Sequence, residues 1–143
     1  MKPVISPRTT RCRARILVVD DTQTMRWMLA ELLQTEGYEV EVASTAAEAL
    51  QLTSMVRWDG LIMDVDLRDM SGMELYVRIL EANGVAHLPV IFFTSRPCGV
   101  LQLGLGDVPW ARLVPRPCSS RQLLSALAGC LEARAEAALV TGN

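Results

Sequence analysis

Residues 16–21 read ILVVDD, an apolar run that ends in two aspartates. Three further short apolar runs also end in residues suited to phosphate chemistry: residues 61–64 read LIMD, residues 90–95 read VIFFTS, and residues 113–117 read LVPRP. Short apolar runs of this kind are typical of buried parallel strands. Parallel strands deliver their last residues to one edge of a sheet, where open α/β folds carry their binding sites. The pattern therefore predicts that carboxylates, a hydroxyl and a cation converge at one edge.

Helical patterns separate these runs. Apolar residues repeat at helical spacing over residues 25–33 and again over residues 123–131, and two capping boxes open at Thr45 and Ser71. Residues 38–43 alternate apolar and polar side chains, which indicates an edge strand. Glycine and proline crowd residues 97–109, so only a short helix over residues 100–105 is expected there. The alternation predicts an α/β fold with a doubly wound, five-stranded parallel sheet and helices on both faces.

The composition fits one domain. The chain has 143 residues, half of them apolar, and a net charge of −2, so it can bury a sizeable core but has no strongly basic surface for nucleic acid. No apolar stretch approaches the roughly 20 residues of a membrane span. The basic, aperiodic residues 1–14 predict a flexible tail before a domain over residues 15–143. We expect a cytoplasmic protein that binds neither membranes nor nucleic acid directly.

The aspartates at the predicted sheet edge indicate a metal-assisted phosphate site. Asp20, Asp21 and Asp64 would repel one another at close range unless one is protonated or a cation lies among them. A hard divalent ion such as Mg²⁺ (or Mn²⁺) takes oxygen ligands of this kind. Asp64 could then act as a nucleophile towards phosphorus, while the Thr94 hydroxyl binds a phosphoryl oxygen and Arg116 offsets the added charge. The alternative is that each aspartate is a solvated loop residue. We favour this alternative less, because the aspartates, the hydroxyl and the cation all follow predicted strands in order.

Residues 63–72, MDVDLRDMSG, resemble the phosphoacceptor loop of the receiver domains of two-component response regulators. Their glycine stands eight residues after Asp64, as in that family. Thr94 lies thirty residues beyond Asp64 and Arg116 twenty-two beyond Thr94, which are also family-like intervals. The resemblance covers residues 15 to about 138. It implies the flavodoxin-like receiver fold with strand order 2-1-3-4-5.

The resemblance also implies a role in two-component signalling. A sensor histidine kinase or a histidine phosphotransfer protein would phosphorylate Asp64. Asp21, Asp64 and the backbone carbonyl of Asp66 would hold Mg²⁺ or Mn²⁺, with Asp20 acting mainly through water, and Thr94 would sense the phosphate. An output protein of unknown identity would respond to the phosphorylation. The chain could also form a homodimer. The domain would assist its own phosphotransfer and dephosphorylation without being a conventional enzyme.

Four residues depart from the family pattern. Arg116 replaces the usual lysine, and Leu113 replaces the aromatic residue of the usual switch. Asp66 stands where a less charged residue is usual, and Arg68 replaces a proline. Arginine binds phosphate as a planar fork rather than as a compact point charge, so the lysine exchange alters the site. We favour an active receiver with altered lifetime and output over a degenerate receiver that binds partners without phosphorylation.

A phosphatase is a third alternative. Residues 64–66, DVD, resemble the nucleophile motif of haloacid-dehalogenase-type phosphatases, in which the second aspartate acts as general acid and base. In those enzymes the nucleophile strand precedes the acidic pair in the sequence. In this chain the acidic pair, Asp20 and Asp21, precedes the DVD motif. We therefore favour the phosphatase least.

Four apolar residues are candidates for partner surfaces. Trp27 lies just beyond the acidic pair and is either partly buried packing or a docking contact for the phosphodonor. Trp110 precedes the last strand and, with Leu105 and Leu113, could form an exposed apolar output surface. Simple packing is the alternative for that group.

Overall fold

The computed structural model describes residues 13–85, 87–95 and 109–141, in which strands and helices alternate. The strands are β1 (Arg15–Val19), β2 (Glu39–Ala43), β3 (Gly60–Met63), β4 (Val90–Thr94) and β5 (Ala111–Pro115). The helices of this described part are α1 (Gln23–Thr35), α2 (Ala46–Met55), α3 (Gly72–Asn83) and α4 (Ser120–Thr141). The short helix predicted over residues 100–105 lies outside the described residues, as do residues 1–12 of the predicted tail.

All five strands run parallel in the order β2-β1-β3-β4-β5. This confirms the predicted doubly wound sheet and its strand order. Residues 38–43 were predicted as an edge strand, and β2 is indeed at one edge with four of its five residues half-buried. No helix among residues 13–85, 87–95 and 109–141 combines the length and apolar character needed to cross a bilayer.

The sheet separates two apolar layers. One layer packs α2 and α3 against strand residues such as Leu17 and Phe92. The other packs α1 and α4 against strand residues such as Ile16 and Ile91. Because side chains alternate between the two faces of a strand, the central strands are buried on both sides. Helices on both faces explain why β1, β3 and β4 are nearly continuous apolar runs.

The strand registers bring the chemically interesting residues to one edge. Val19 is paired with Met63, and Met63 with Phe92, so β1, β3 and β4 end at nearly the same level. The N–H of Asp64 donates to the Val19 carbonyl (3.1 Å), which continues the β1–β3 ladder by one residue. Likewise the N–H of Arg116 donates to the Thr94 carbonyl (2.8 Å) beyond the β4–β5 pairing. These backbone hydrogen bonds therefore fix the positions of Asp64 and Arg116 at the carboxyl edge of the sheet.

The loop after β3 is tied to the first turn of α2. Thr45 Oγ1 accepts from the Glu48 N–H (3.1 Å), as the predicted capping box requires. The carboxylate of Asp69 accepts from the N–H groups of Ala46 (3.0 Å) and Ala47 (3.1 Å). These bonds, the one from Ala46 first, hold the pKa of Asp69 below its ordinary value. Three otherwise unpaired N–H groups of the helix are thereby satisfied.

Asp69→Ala is expected to lower the free energy of unfolding by about 1 kcal/mol, the usual value of a lost helix cap. Because the folded-state pKa of Asp69 is depressed, its ionic contribution is present above the ordinary pKa and is lost as the pH falls through the folded value. Urea unfolding at neutral and acidic pH should therefore show a difference that shrinks in acid. Asp69→Asn, which retains an acceptor oxygen, is the matched control and should cost less. Equal losses for both variants at both pH values would contradict this role.

Candidate functional site

Three carboxylates meet where β1 and β3 end. Asp20 and Asp21 follow β1 and Asp64 follows β3, and one oxygen of each lies within 4.8 Å of the other two. Asp20 is buried, whereas Asp21 and Asp64 are half-buried and open towards solvent. An all-oxygen set of this size suits a hard divalent ion. The cluster that the sequence predicted is therefore assembled, and it could hold a metal ion.

Asp20 is held by hydrogen bonds from residues at the start of α1. Its Oδ1 accepts from the Thr22 N–H (2.8 Å), and its carbonyl accepts from Arg26 Nη1 (2.7 Å). Burial raises the pKa of Asp20 above its ordinary value and outweighs the opposing effects of the Thr22 hydrogen bond and of Arg116. The neighbouring charges of Asp64 and Asp21 raise it further. Ionisation of Asp20 therefore lowers the free energy of unfolding of the metal-free protein.

Asp20→Asn is expected to stabilise the metal-free protein at neutral pH by on the order of 1 kcal/mol, since it removes a buried charge and keeps the acceptor for Thr22. The folded pKa of Asp20 is raised, so its ionisation begins to cost stability as the pH rises through the unfolded value. The difference between variant and parent should accordingly vanish in acid. Thermal unfolding in EDTA across the pH range measures this. A variant less stable than the parent at neutral pH would show that the charge is stabilising.

Arg116 joins three strand ends. Its Nη2 is 3.0 Å from Asp64 Oδ2, and its Nη1 is 3.6 Å from Asp20 Oδ2. The guanidinium lies over the Phe93 ring, 5.2 Å from the centroid, and the side chain is 16% exposed. Its Nε is buried with no hydrogen-bond partner among the described residues. Because the guanidinium is a planar fork, one side chain spans two carboxylates.

Thr94 and Asp66 lie beside this group. The Thr94 side chain is buried (1% exposed) at the end of β4, and its carbonyl accepts from the Arg116 N–H. Asp66 is exposed, and its N–H donates to Asp64 Oδ1 (3.3 Å). Asp66 also forms an isolated antiparallel bridge with Ser71. The predicted hydroxyl, cation and acidic residues therefore share one edge.

Gly72 seats the Asp64 loop against α3. Its N–H donates to the Val65 carbonyl (2.7 Å). A Cβ at this position would meet the Asp64 carbonyl oxygen and lie 3.1 Å from Val65 Cα. The first residue of α3 must therefore be glycine for the helix to begin this close to the Asp64 backbone.

Arg68 is a second cation of the site. Its Nε is 3.5 Å from Asp21 Oδ2, and its side chain is 82% exposed. The sequence marks Arg68 only as a departure from a usual proline, and it was not predicted as a site residue. Its position four residues after Asp64 does not by itself indicate this contact, because the approach to Asp21 depends on the path of the loop in space.

The predicted partner surfaces differ in exposure. Trp27 is 66% exposed and its neighbour Met28 is 57% exposed, so partial burial does not explain Trp27. Both belong to α1, which forms a groove of about 600 Å³ with the start of α4. The groove is lined by Met25, Met28, Leu29, Glu31, Leu32, Phe93, Ser95, Arg116, Pro117, Cys118, Ser119, Ser120 and Leu123. An apolar surface therefore runs from α1 to Arg116.

The other predicted surface is more closely packed. The indole of Trp110 is half-buried and contacts the imidazole of His87 in a tilted arrangement, with 4.5 Å between centroids and 60° between the ring planes. Leu113 is half-buried and packs against the layer of α2 and α3, which favours the packing alternative for this residue. Leu105 lies outside the described residues. Packing accounts for Leu113, and Trp110 keeps only part of its ring in solvent.

Known proteins match both the sequence and the fold. A family model described as a response regulator receiver domain matches residues 16–128. The response regulator MprA of Mycobacterium leprae is 32% identical over 117 residues, which make up 82% of this chain and 50% of MprA. The sensor histidine kinase TmoS of Ectopseudomonas mendocina is 31% identical over 117 residues, 82% of this chain and 12% of TmoS. The chain thus spans half or less of these relatives.

Solved structures of similar size match over nearly their whole length. The chemotaxis protein CheY4 of Vibrio cholerae is 28% identical with a TM-score of 0.72, and the match covers 80% of this chain and 96% of CheY4. The signal receiver domain of an HD domain-containing protein from Pseudomonas fluorescens Pf-5 is 27% identical with a TM-score of 0.76. That match covers 87% of this chain and 98% of the other.

Proposed function

The chain belongs to the response regulator receiver family, and we propose that it accepts a phosphoryl group on Asp64 and thereby changes which partner it binds. The donor would be a sensor histidine kinase or a histidine phosphotransfer protein. One observation carries the proposal: a half-buried carboxylate lies within 4.8 Å of two others and is contacted by a guanidinium at 3.0 Å. A nucleophile, a cation and candidate metal ligands are then within reach of one phosphorus atom.

Asp64 is held in a fixed orientation. Its Oδ2 accepts from Arg116, and its Oδ1 accepts from the Asp66 N–H. In the proposed transfer, a carboxylate oxygen of Asp64 forms a bond to phosphorus as the donor's N–P bond breaks, and the departing imidazole takes a proton from water. The fixed carboxylate lowers the entropic cost of this attack.

The acidic cluster is the proposed site for Mg²⁺ or Mn²⁺. Asp21, Asp64 and the backbone carbonyl of Asp66 would be direct ligands, and Asp20 would act through water. When bound, such an ion offsets the charge of the cluster and of the transferred phosphoryl oxygens. The largely buried guanidinium of Arg116, 3.0 Å from Asp64, stabilises the same charge. The Thr94 hydroxyl is the proposed hydrogen-bond donor to the phosphoryl group.

The surface of α1 is the proposed contact for the phosphodonor. Trp27 and Met28 are exposed on α1, the helix that follows Asp20 and Asp21 along the chain, and Arg116 is among the residues that line the groove between α1 and α4. Leu113 has no hydroxyl, so the response to phosphate would pass through Thr94 and its strand rather than through a Thr–aromatic pair. We propose a cytoplasmic location, with a separate output protein or a homodimer as the partner that changes.

Incubation with acetyl phosphate and Mg²⁺ tests this function. We expect the intact mass to rise by one phosphoryl group, and we expect EDTA to suppress the gain. Beryllofluoride should change the tryptophan fluorescence under the same conditions. A folded protein that shows neither response at saturating reagent would contradict phosphoryl acceptance.

The degenerate receiver is the second candidate, because two guanidinium groups already pair with the acidic cluster. Arg116 contacts Asp64 and Asp20, and Arg68 contacts Asp21. Such a site is partly neutralised without any metal ion. Absence of the mass gain, together with normal folding, is the result that this candidate predicts.

A further inference from the structure

The two arginines of the site contact different carboxylates of the acidic cluster and differ in exposure. Arg116 is 16% exposed and contacts Asp64 and Asp20 beneath the surface. Arg68 is 82% exposed and contacts Asp21, which is the carboxylate that Arg116 does not reach within 4 Å. Each carboxylate of the cluster therefore has a guanidinium partner. The side chain of Arg116 is largely buried, whereas that of Arg68 is exposed to solvent.

The Arg68 contact uses an oxygen that the proposed metal site needs. Asp21 is one of the three residues whose oxygens lie within 4.8 Å of one another, and Arg68 lies 3.5 Å from its Oδ2. Resting on the proposed function, we infer that Arg68 competes with the divalent cation for Asp21 and so sets the affinity of the site for that ion. Arg68 is on this inference a positioning residue, which acts through Asp21.

Charge balance decides which arginine gives way. The three carboxylates in their ionised form and the two guanidinium groups paired with them sum to one negative charge, and a divalent ion would change that sum to one positive charge. Repulsion then favours departure of the cation that is easier to release. Arg116 is held by two carboxylates and the Phe93 ring, whereas the exposed Arg68 pair is of the weak, easily exchanged kind. Arg68 is therefore the group displaced.

This competition makes the receiver sensitive to its ionic surroundings. An exposed ion pair weakens as salt rises, so the contribution of Arg68 shrinks at high ionic strength. Because Arg68 competes for Asp21, the site of the parent protein would fill at higher cation concentrations than a site without Arg68. This difference would shrink as the salt concentration rises. Phosphorylation would follow the same threshold, since it depends on the filled site.

Direct counting of bound Mn²⁺ tests the inference without measuring phosphorylation. Electron paramagnetic resonance reports free Mn²⁺, so a titration at low salt gives the dissociation constant for the parent and for Arg68→Gln. We expect Arg68→Gln to bind roughly two- to tenfold more tightly, as the removal of one exposed charge beside a divalent ion implies. Arg68→Lys, which keeps the charge, should remain near the parent.

Arg78→Gln is the matched control. Arg78 is also an exposed arginine in an ion pair, with Glu74 at 3.0 Å, but it lies on α3 outside the cluster. Arg78→Gln removes the same charge from the whole protein as Arg68→Gln does, and it should leave the Mn²⁺ dissociation constant unchanged. If Arg68→Gln and Arg78→Gln bind Mn²⁺ as the parent does, the competition is refuted while the metal site stands. If no variant and no parent protein binds Mn²⁺, the proposed metal site and the competition both fail.

Discussion

Arg116→Ala is expected to slow phosphorylation of Asp64 by about 10²–10³-fold, the loss typical of removing one preorganised donor from a developing oxyanion. Arg116 is the described cation that contacts Asp64 directly, at 3.0 Å, and it is largely withdrawn from water, where its charge is least screened. The initial rate of mass gain with acetyl phosphate at saturating Mg²⁺ measures the effect. A rate within threefold of the parent would mean that the metal ion alone carries the charge.

Arg116→Lys separates the charge from the shape of the group. A lysine keeps one positive charge but cannot span Asp64 and Asp20 as the two nitrogens of Arg116 do. We expect the lysine variant to be phosphorylated much faster than the alanine variant and to differ from the parent chiefly in the lifetime of the phosphorylated form. A loss of stability like that of a core truncation would instead make Arg116 a structural residue.

Gly72→Ala is expected to lower the free energy of unfolding by about 3 kcal/mol, at the upper end of the usual cost of overpacking. The new methyl group would meet the carbonyl oxygen of Asp64, which is backbone and cannot rotate away. Relief requires α3 or the Asp64 loop to move, and either movement would also disturb the acidic cluster. Chemical denaturation measures the stability, and Mn²⁺ binding measures the cluster.

Gly84→Asn is the matched control at the other end of the same helix. Gly84 ends α3 with a φ of 63°, and among the described residues no atom beyond its two chain neighbours lies within 4 Å of the place where its Cβ would be. Asparagine tolerates this left-handed conformation better than other side chains, so we expect a cost below about 1 kcal/mol. If both glycine variants lost the same stability, the cost at Gly72 would be backbone freedom rather than the contact with Asp64.

The sheet and its active edge could be predicted because they depend on patterns local to the sequence. Apolar runs bounded by turn residues mark the central strands, and parallel pairing then sends their last residues to one edge. This logic brings Asp20, Asp21 and Asp64 together without knowledge of any side-chain rotamer. The capping boxes at Thr45 and Ser71 were similarly legible, and both hydroxyls accept the expected N–H bonds.

The contacts of the Asp64 loop could not be predicted, because they depend on the path of the loop in space. Asp69 caps α2 from 22 and 23 residues away, and Arg68 turns back to Asp21. The need for Gly72 is likewise visible only once α3 is seen against the Asp64 backbone. The choice between an exposed surface and packing for Leu113 was open for a related reason, since only its register beside Phe92 shows that it packs against the core layer.

The most direct test is to locate the phosphoryl group in the chain. After incubation with acetyl phosphate and Mg²⁺, borohydride reduces an aspartyl phosphate to homoserine, and peptide mass mapping then identifies the modified residue. We predict homoserine at position 64 and unmodified aspartates at Asp20, Asp21 and Asp66. Modification at one of those three residues, or at none of the four, would contradict Asp64 as the phosphoacceptor.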